Sequence, residues 1–168
     1  MISQKLEHAV NDQIQLELQA SYLYLAMSAL CEARYFRGFA RWLRAQSREE
    51  YGHAMKLFDL MGELGAPIDL KAISAPAVQF DSLRALFQEV YAHEKKVTAS
   101  IHHLYALALE QKDYPAQPLL QWFVTEQVEE ENAAAEICHK LDWLEDHPMG
   151  LFALDRELGG RSAGEVSH

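Results

Sequence analysis

Four long segments of the chain repeat apolar residues every three or four positions, and none shows the alternation typical of a β-strand. The predicted helices cover about 3–33, 38–64, 82–111 and the segment from the turn "KDYP" to about 145. Prolines lie between the segments or at their ends, where helices begin and stop. Because each apolar stripe must pack against a neighbour, the pattern predicts an all-α four-helix bundle.

The lengths of the links predict how these helices are connected. The first and third links are short, so each joins antiparallel neighbours. The second link, 65–81, has 17 residues and reaches about 55 Å when extended. A 28-residue helix is only about 42 Å long. The link can therefore cross the bundle and make the second and third helices parallel.

Composition narrows the functional classes. A net charge of −10 argues against a nucleic-acid partner and against an anionic membrane surface. The two cysteines, Cys31 and Cys138, form no zinc motif or disulfide framework, which favours a reducing compartment. The N-terminus lacks a signal-peptide core, and the richest apolar run, 21–31, is too short to span a bilayer. We expect a cytoplasmic single domain, with the bundle over 1–145 and a short fifth helix and loose tail over 146–168. The stretch "DHPMG" (146–150) is predicted to break the chain before the fifth helix.

Polar residues interrupt the apolar stripe near the middle of every predicted helix. They are Glu17 on the first helix, Glu50 and His53 on the second, Glu94 on the third, and Gln127 and Glu130 on the fourth. Gln13 and Gln46 lie on the same stripes, one helical turn before Glu17 and Glu50. Adding 77 to a residue number maps Glu17 onto Glu94, Glu50 onto Gln127, and His53 onto Glu130. The two halves thus resemble related helical hairpins whose polar positions face each other.

Four carboxylates in one buried volume need compensating charge, because a buried carboxylate costs several kcal/mol unless it is paired. Two divalent cations would supply that charge. Carboxylate oxygens with one imidazole suit iron or manganese better than zinc or copper, which favour thiolates. The pattern therefore predicts a two-metal site between the four helices.

Each signal also has a structural interpretation. Glu-x-x-His alone is a weak metal motif. A solvated helix face is the structural interpretation of the charged residues Glu49, Glu126, Glu129 and Glu131. Tyr24 and Trp122 are expected as core aromatics, and Gly52 as a residue that relieves close helix packing. The remaining histidines are expected on the surface: His8, His93, His102, His103, His139, His147 and His168.

The chain resembles bacterial non-haem ferritins over essentially its whole length. The resemblance rests on Glu17, Glu94 and the stretches "EEYGH" (49–53), "KDYPAQPLLQW" (112–122), "TEQVEEE" (125–131) and "GLFALDREL" (150–158). It implies a ferritin-like bundle with one long crossover and a short fifth helix, assembled as a shell of 24 copies. The implied function is iron storage, in which O₂ or H₂O₂ oxidises Fe(II) and the product is kept as a ferric oxide mineral.

The same resemblance implies roles for individual residues. One iron would bind Glu17, Glu50 and His53, and the second would bind Glu50, Glu94 and Glu130 with Gln127 close by. A third iron site would use Glu49, Glu126, Glu129 and Glu130. Tyr24 and Trp122 match the aromatics near the centre, with Tyr24 either an electron donor or a hydrogen-bonding support.

Differences from bacterioferritins argue against haem, and two alternative functions remain open. Bacterioferritins carry a second Glu-x-x-His where this chain has Gln127 and Glu130, and a haem-ligating methionine where it has Tyr51, so we expect no haem. The alternatives are a shell subunit without fast oxidation and a di-iron peroxidase or oxygenase that forms no cage.

Overall fold

The computed structural model describes residues 2–144 and 147–160 of the 168-residue chain. The described residues form five helices and no strand, which confirms the predicted all-α class. The helices are α1 (Gln4–Ala33), α2 (Arg37–Glu63), α3 (Leu83–Glu110), α4 (Gln117–Leu144) and α5 (Pro148–Gly159).

Hydrogen bonds between helices show that α1 and α2 are antiparallel. The hydroxyls of Ser21 and Ser47 each donate to the other residue's carbonyl oxygen at 2.7 Å. Seven positions further along α1, Ser28 Oγ donates to the carbonyl oxygen of Ala40 at 2.8 Å. Residue numbers of the contacts thus decrease along α2 as they increase along α1, so the two helices are antiparallel, as the short first link requires.

The long link crosses the bundle as its length predicted. Ser100 Oγ donates to Gln13 Oε1 at 2.5 Å, and the Tyr24 hydroxyl donates to Glu94. Contacts between α1 and α3 thus also run in opposite directions. Since both α2 and α3 are antiparallel to α1, they are parallel to each other.

Helix ends differ slightly from the predicted ones, for reasons of capping. Ser3 and Ser82, predicted as first helical residues, are N-caps whose hydroxyls accept hydrogen bonds from the N–H groups of Leu6 and Ala85 at 3.2 and 3.1 Å. The stretch "DHPMG", predicted as a break, contains the start of α5, because Pro148 occupies the first turn, where its missing N–H costs nothing. The predicted end of the fourth helix at 145 and most of the predicted tail, 161–168, lie outside the described residues.

The buried apolar residues form two clusters, one toward each end of the bundle. One contains Phe39, Leu43 and Phe87, and the other contains Ile14, Leu57 and Phe123. Between them lies a buried polar layer that takes side chains from all four long helices. It consists of Gln13, Glu17, Gln46, Glu50, His53, Glu94, Gln127 and Glu130.

The fifth helix packs against the start of α2 through a very close backbone contact. Asp155 Oδ1 accepts hydrogen bonds from the N–H groups of Gly38 and Phe39 at 2.8 and 3.1 Å. A Cβ atom on Gly38 would lie 1.5 Å from the carbonyl oxygen of Asp155. Only glycine permits this approach, so position 38 fixes how α5 docks.

No helix in the described ranges is long and apolar enough to cross a lipid bilayer.

Two glycine-to-alanine substitutions in α2 should shift stability in opposite directions. A Cβ atom on Gly52 would meet no side chain and no other helix within 4 Å, so the expectation that Gly52 relieves close packing is wrong. We expect Gly52→Ala to raise the free energy of unfolding by about 1 kcal/mol through helix propensity. Gly38→Ala should lower it by about 1–3 kcal/mol because α5 must move. Guanidinium midpoints of the two variants check this, and equal shifts would contradict the contrast.

Candidate metal centre

Three side chains from α1 and α2 form the first group of metal-binding donors. One donor atom from each of Glu17, Glu50 and His53 lies within 4.8 Å of the others, and all three residues are buried. His53 Nδ1 lies 3.1 Å from Glu50 Oε2. Glu17 Oε2 and Glu50 Oε1 are buried without a hydrogen-bond partner. Unpartnered buried carboxylate oxygens are costly, and a bound cation would satisfy them.

A second group links α2 to α4. Donor atoms of His53, Glu126 and Glu130 also lie within 4.8 Å of one another. Glu126 is only 7% exposed, so it does not belong to a solvated face. Burial raises its pKa, and the charges of Glu49 and Glu129 add to this. The solvated-face interpretation is therefore wrong for Glu126, whereas Glu129 is exposed and Glu49 is half-buried.

Glu94 lies in the same layer but is held by neighbours on α1 and α4. The Tyr24 hydroxyl donates to Glu94 Oε1, and Gln127 Nε2 donates to Glu94 Oε2 at 3.3 Å. Gln127 Nε2 also lies 3.3 Å from Thr98 Oγ1. The Gln127 amide thus acts as a donor to a carboxylate.

Two glutamines of the layer were on the predicted stripes, but sequence reasoning assigned them no role. Gln13 Nε2 donates to Glu17 Oε1 at 2.8 Å, and Gln46 Nε2 donates to Glu130 Oε2 at 2.7 Å. The available signal was their position, one helical turn before Glu17 and Glu50 on a buried stripe.

Burial sets the protonation of the layer. It raises the pKa of Glu17 to about 7, against the opposing hydrogen bond from Gln13. Burial, followed by the charge of Glu94, raises the pKa of Glu50 well above its usual range. Burial lowers the pKa of His53 to about 4, with a smaller effect from Lys56. At neutral pH the imidazole is therefore neutral and can offer a lone pair to a metal.

Aromatic rings line the layer. The His53 ring makes T-shaped contacts with the rings of Trp122 and Phe123 at centroid distances of 5.6 and 5.5 Å. Burial raises the pKa of Tyr24, and nearby carboxylates add to this, so its phenol keeps the proton that it donates to Glu94.

One histidine expected on the surface is not there. His93 is half-buried on α3, its ring meets Tyr24 at a centroid distance of 5.7 Å, and its Nε2 is buried without a partner. Its position depends on how α3 rotates against α1, which the stripe alone does not specify. The other described histidines that were expected on the surface are exposed, and His168 lies outside the described residues.

These protonation states predict that metal binding releases protons. Below pH 7 the Glu17 carboxyl is mostly protonated, and a cation must displace that proton to bind. His53, with a pKa of about 4, contributes none. We expect Co²⁺ binding to release about one proton more per chain at about pH 6 than at about pH 8.5, and the affinity to fall as the pH falls. Calorimetry in buffers with different ionisation enthalpies measures this, and equal release at both pH values would contradict it.

The family model and the sequence relatives that match this chain point to the same protein family. The model of the family described as a ferritin-like domain matches residues 7–143. A probable bacterial non-heme ferritin-like protein from Haemophilus influenzae is 41% identical over 162 residues, covering 96% of this chain and 98% of that protein. A bacterial non-heme ferritin from Escherichia coli is 37% identical over 158 residues, covering 94% and 96%.

Solved structures agree with the sequence relatives. An open-pore ferritin from the hyperthermophilic archaeon Archaeoglobus fulgidus superposes with a TM-score of 0.94 at 42% identity, covering 96% of this chain and 98% of that one. A humanized archaeal ferritin also gives a TM-score of 0.94, at 41% identity and the same coverage. The bundle, the crossover and the sequence relatives agree, and the chain is a member of the ferritin family of the bacterial non-haem type.

Proposed function

We propose that this protein oxidises Fe(II) in the buried polar layer and stores the product as a ferric oxide mineral inside a shell of 24 copies. The observation that carries the proposal is the group formed by Glu17, Glu50 and His53. It brings two unpartnered carboxylate oxygens and a neutral imidazole together in the core. The membership of the chain in the ferritin family supports iron as the substrate.

Two Fe(II) ions would bind as substrates on either side of Glu50. Glu17, Glu50 and His53 would hold the first, and Glu50, Glu94 and Glu130 the second. Glu50 could be shared between them, which is supported by its Oε2 lying beside His53 while its Oε1 has no hydrogen-bond partner. Gln127 would orient Glu94 through its donated hydrogen bond.

The electrons balance with either oxidant. Each Fe(II) gives up one electron, and O₂ takes two electrons and two protons to leave as H₂O₂. With H₂O₂ as the oxidant, two electrons and two protons give two waters. The chain would supply geometry and charge compensation, and Glu17 and Glu50, whose pKa values are raised by burial, would each release one proton nearby. Tyr24 has a supporting role, because its hydroxyl donates to Glu94.

A third iron site would lie beside the first two. We assign this site to Glu49, Glu126, Glu129 and Glu130. Oxidised iron would leave the polar layer through it. Its support is the buried group that joins Glu126 and Glu130 to His53. The exposure of Glu129 would give this site contact with solvent.

The absence of haem, the cytoplasmic location and the absence of nucleic-acid and membrane partners remain predictions. So does the rejection of the two alternatives, a shell subunit without fast oxidation and a cage-free peroxidase or oxygenase.

Iron loading separates the proposal from both alternatives. Metal-free protein is given a large excess of Fe(II) in air, and the ferric absorbance is followed before size-exclusion chromatography with iron analysis. We expect fast oxidation and far more than two irons per chain in a large species. Slow oxidation in a large species would favour the shell alternative. A small species with about two irons per chain would favour the peroxidase or oxygenase.

A further inference from the structure

Two buried glutamines each hold one candidate ligand, and they do so at different metal positions. Gln13 donates to Glu17 along α1 at 2.8 Å, whereas Gln46 on α2 donates to Glu130 on α4 at 2.7 Å. Both glutamines are 1% exposed. In both contacts the amide presents its N–H group to the carboxyl oxygen, and the ionised form of a carboxylate can only accept.

Ser100 fixes the orientation of the Gln13 amide. Its hydroxyl donates to Gln13 Oε1 at 2.5 Å, so the amide nitrogen is directed at Glu17. Glu17 Oε1 is thereby occupied, and Glu17 Oε2, which has no partner, is the oxygen left for a cation. The chain Ser100–Gln13–Glu17 therefore selects which carboxylate oxygen stays free.

Gln13 and Gln46 have no polar counterparts in the second half of the chain. Under the shift of 77 residues, Gln13 corresponds to Val90 and Gln46 to Phe123. Both counterparts are fully buried apolar residues of the end clusters. The first hairpin thus carries two buried amides where the second carries hydrocarbon, although an unneeded buried amide would be a cost to folding.

We propose that Gln13 and Gln46 are positioning residues that tune the two metal positions separately, Gln13 through Glu17 and Gln46 through Glu130. The inference rests on the proposed function, because it takes the layer to bind two metal ions. A hydrogen bond to a ligating carboxylate orients it and favours its ionised form, and loss of such a partner typically weakens metal binding about 10–100-fold. Since each glutamine serves a different carboxylate, each loss should affect one ion and spare the other.

The test uses Co²⁺, which binds without being oxidised by air and reports its ligands by visible absorption. Wild type, Gln13→Met and Gln46→Met are titrated as metal-free assembled proteins, and methionine keeps the side-chain length without the N–H donors. Ser100→Ala is a third variant, which keeps Gln13 but removes the hydroxyl that orients its amide. Crystals soaked at sub-saturating Co²⁺ then show by anomalous scattering which position has lost occupancy.

We expect wild type to bind two ions per chain and each methionine variant to bind one of them about 10–100-fold more weakly. Gln13→Met should empty the position at Glu17 and His53, and Ser100→Ala should weaken the same position by a smaller factor. Gln46→Met should empty the position at Glu130. The inference would be overturned, with the metal centre intact, if neither methionine variant changed the Co²⁺ affinities. It would also be overturned if each variant weakened the binding of both ions equally. A wild type that binds no Co²⁺ in the layer would overturn both the centre and the inference.

Discussion

Replacing Glu50 and His53 together by alanine should slow the initial oxidation of Fe(II) by more than about 100-fold. Glu50 is the carboxylate proposed to touch both ions, and His53 is the only nitrogen donor in either group of donors. Without them Glu17 keeps its unpartnered oxygen but has no second donor from α2. The rate is read from the ferric absorbance in the first seconds after Fe(II) is added in air.

The chain offers a matched control with the same spacing. Glu136 and His139 form a second Glu-x-x-His on α4, and both side chains are exposed. Glu136→Ala with His139→Ala should leave the initial rate unchanged, although it removes the ion pair of Glu136 with Lys140. Equal rates in wild type and the Glu50 and His53 double variant would refute the proposed centre. An equally slow control would show that the effect was unspecific.

The second large effect is on stability and has the opposite direction. Glu50→Gln should make the metal-free protein more stable at about pH 8, by on the order of 2 kcal/mol. In the folded protein, burial and the charge of Glu94 raise the pKa of Glu50 above its value in the unfolded chain. Wild type therefore loses stability as the pH rises through the folded pKa, whereas a neutral amide of the same shape does not.

The pH and metal dependence make this prediction specific. The gain from Glu50→Gln should shrink toward about pH 5, where Glu50 is protonated in the folded state and the two proteins carry a similar charge. Saturating Co²⁺ should stabilise wild type strongly and the variant weakly, so that the order of their guanidinium midpoints reverses. If Glu50→Gln is less stable than wild type at pH 8 without metal, the ionised Glu50 carboxylate does not destabilise the folded protein, and the prediction is contradicted.

Helical periodicity was sufficient to predict the bundle and the burial of its polar layer. Every predicted ligand of the two-metal site sits on its stripe, and Glu17, Glu50 and His53 are each at most 2% exposed. Link length alone gave the parallel arrangement of α2 and α3, because an extended 17-residue segment outreaches a helix of this size. Metal binding by these residues stays a prediction, because the repeat of apolar residues indicates burial and not the occupant of the site.

Features that depend on side-chain rotation or on contact between helices could not be predicted in this way. Glu126 is buried although it lies beside the stripe, and His93 is half-buried although no partner was predicted for it. The roles of Gln13 and Gln46 depend on which amide atom faces which carboxylate, and only three-dimensional coordinates give that. Gly38 is required by the approach of Asp155, a residue more than a hundred positions away.

The most direct test of the central claim is anomalous diffraction at the iron edge from crystals soaked with Fe(II) without oxygen. The account predicts two iron peaks in the polar layer of each chain, about 3.5–4 Å apart. One should contact Glu17, Glu50 and His53, and the other Glu50, Glu94 and Glu130. Iron found only outside the polar layer, with Glu17 and Glu50 unliganded, would contradict it.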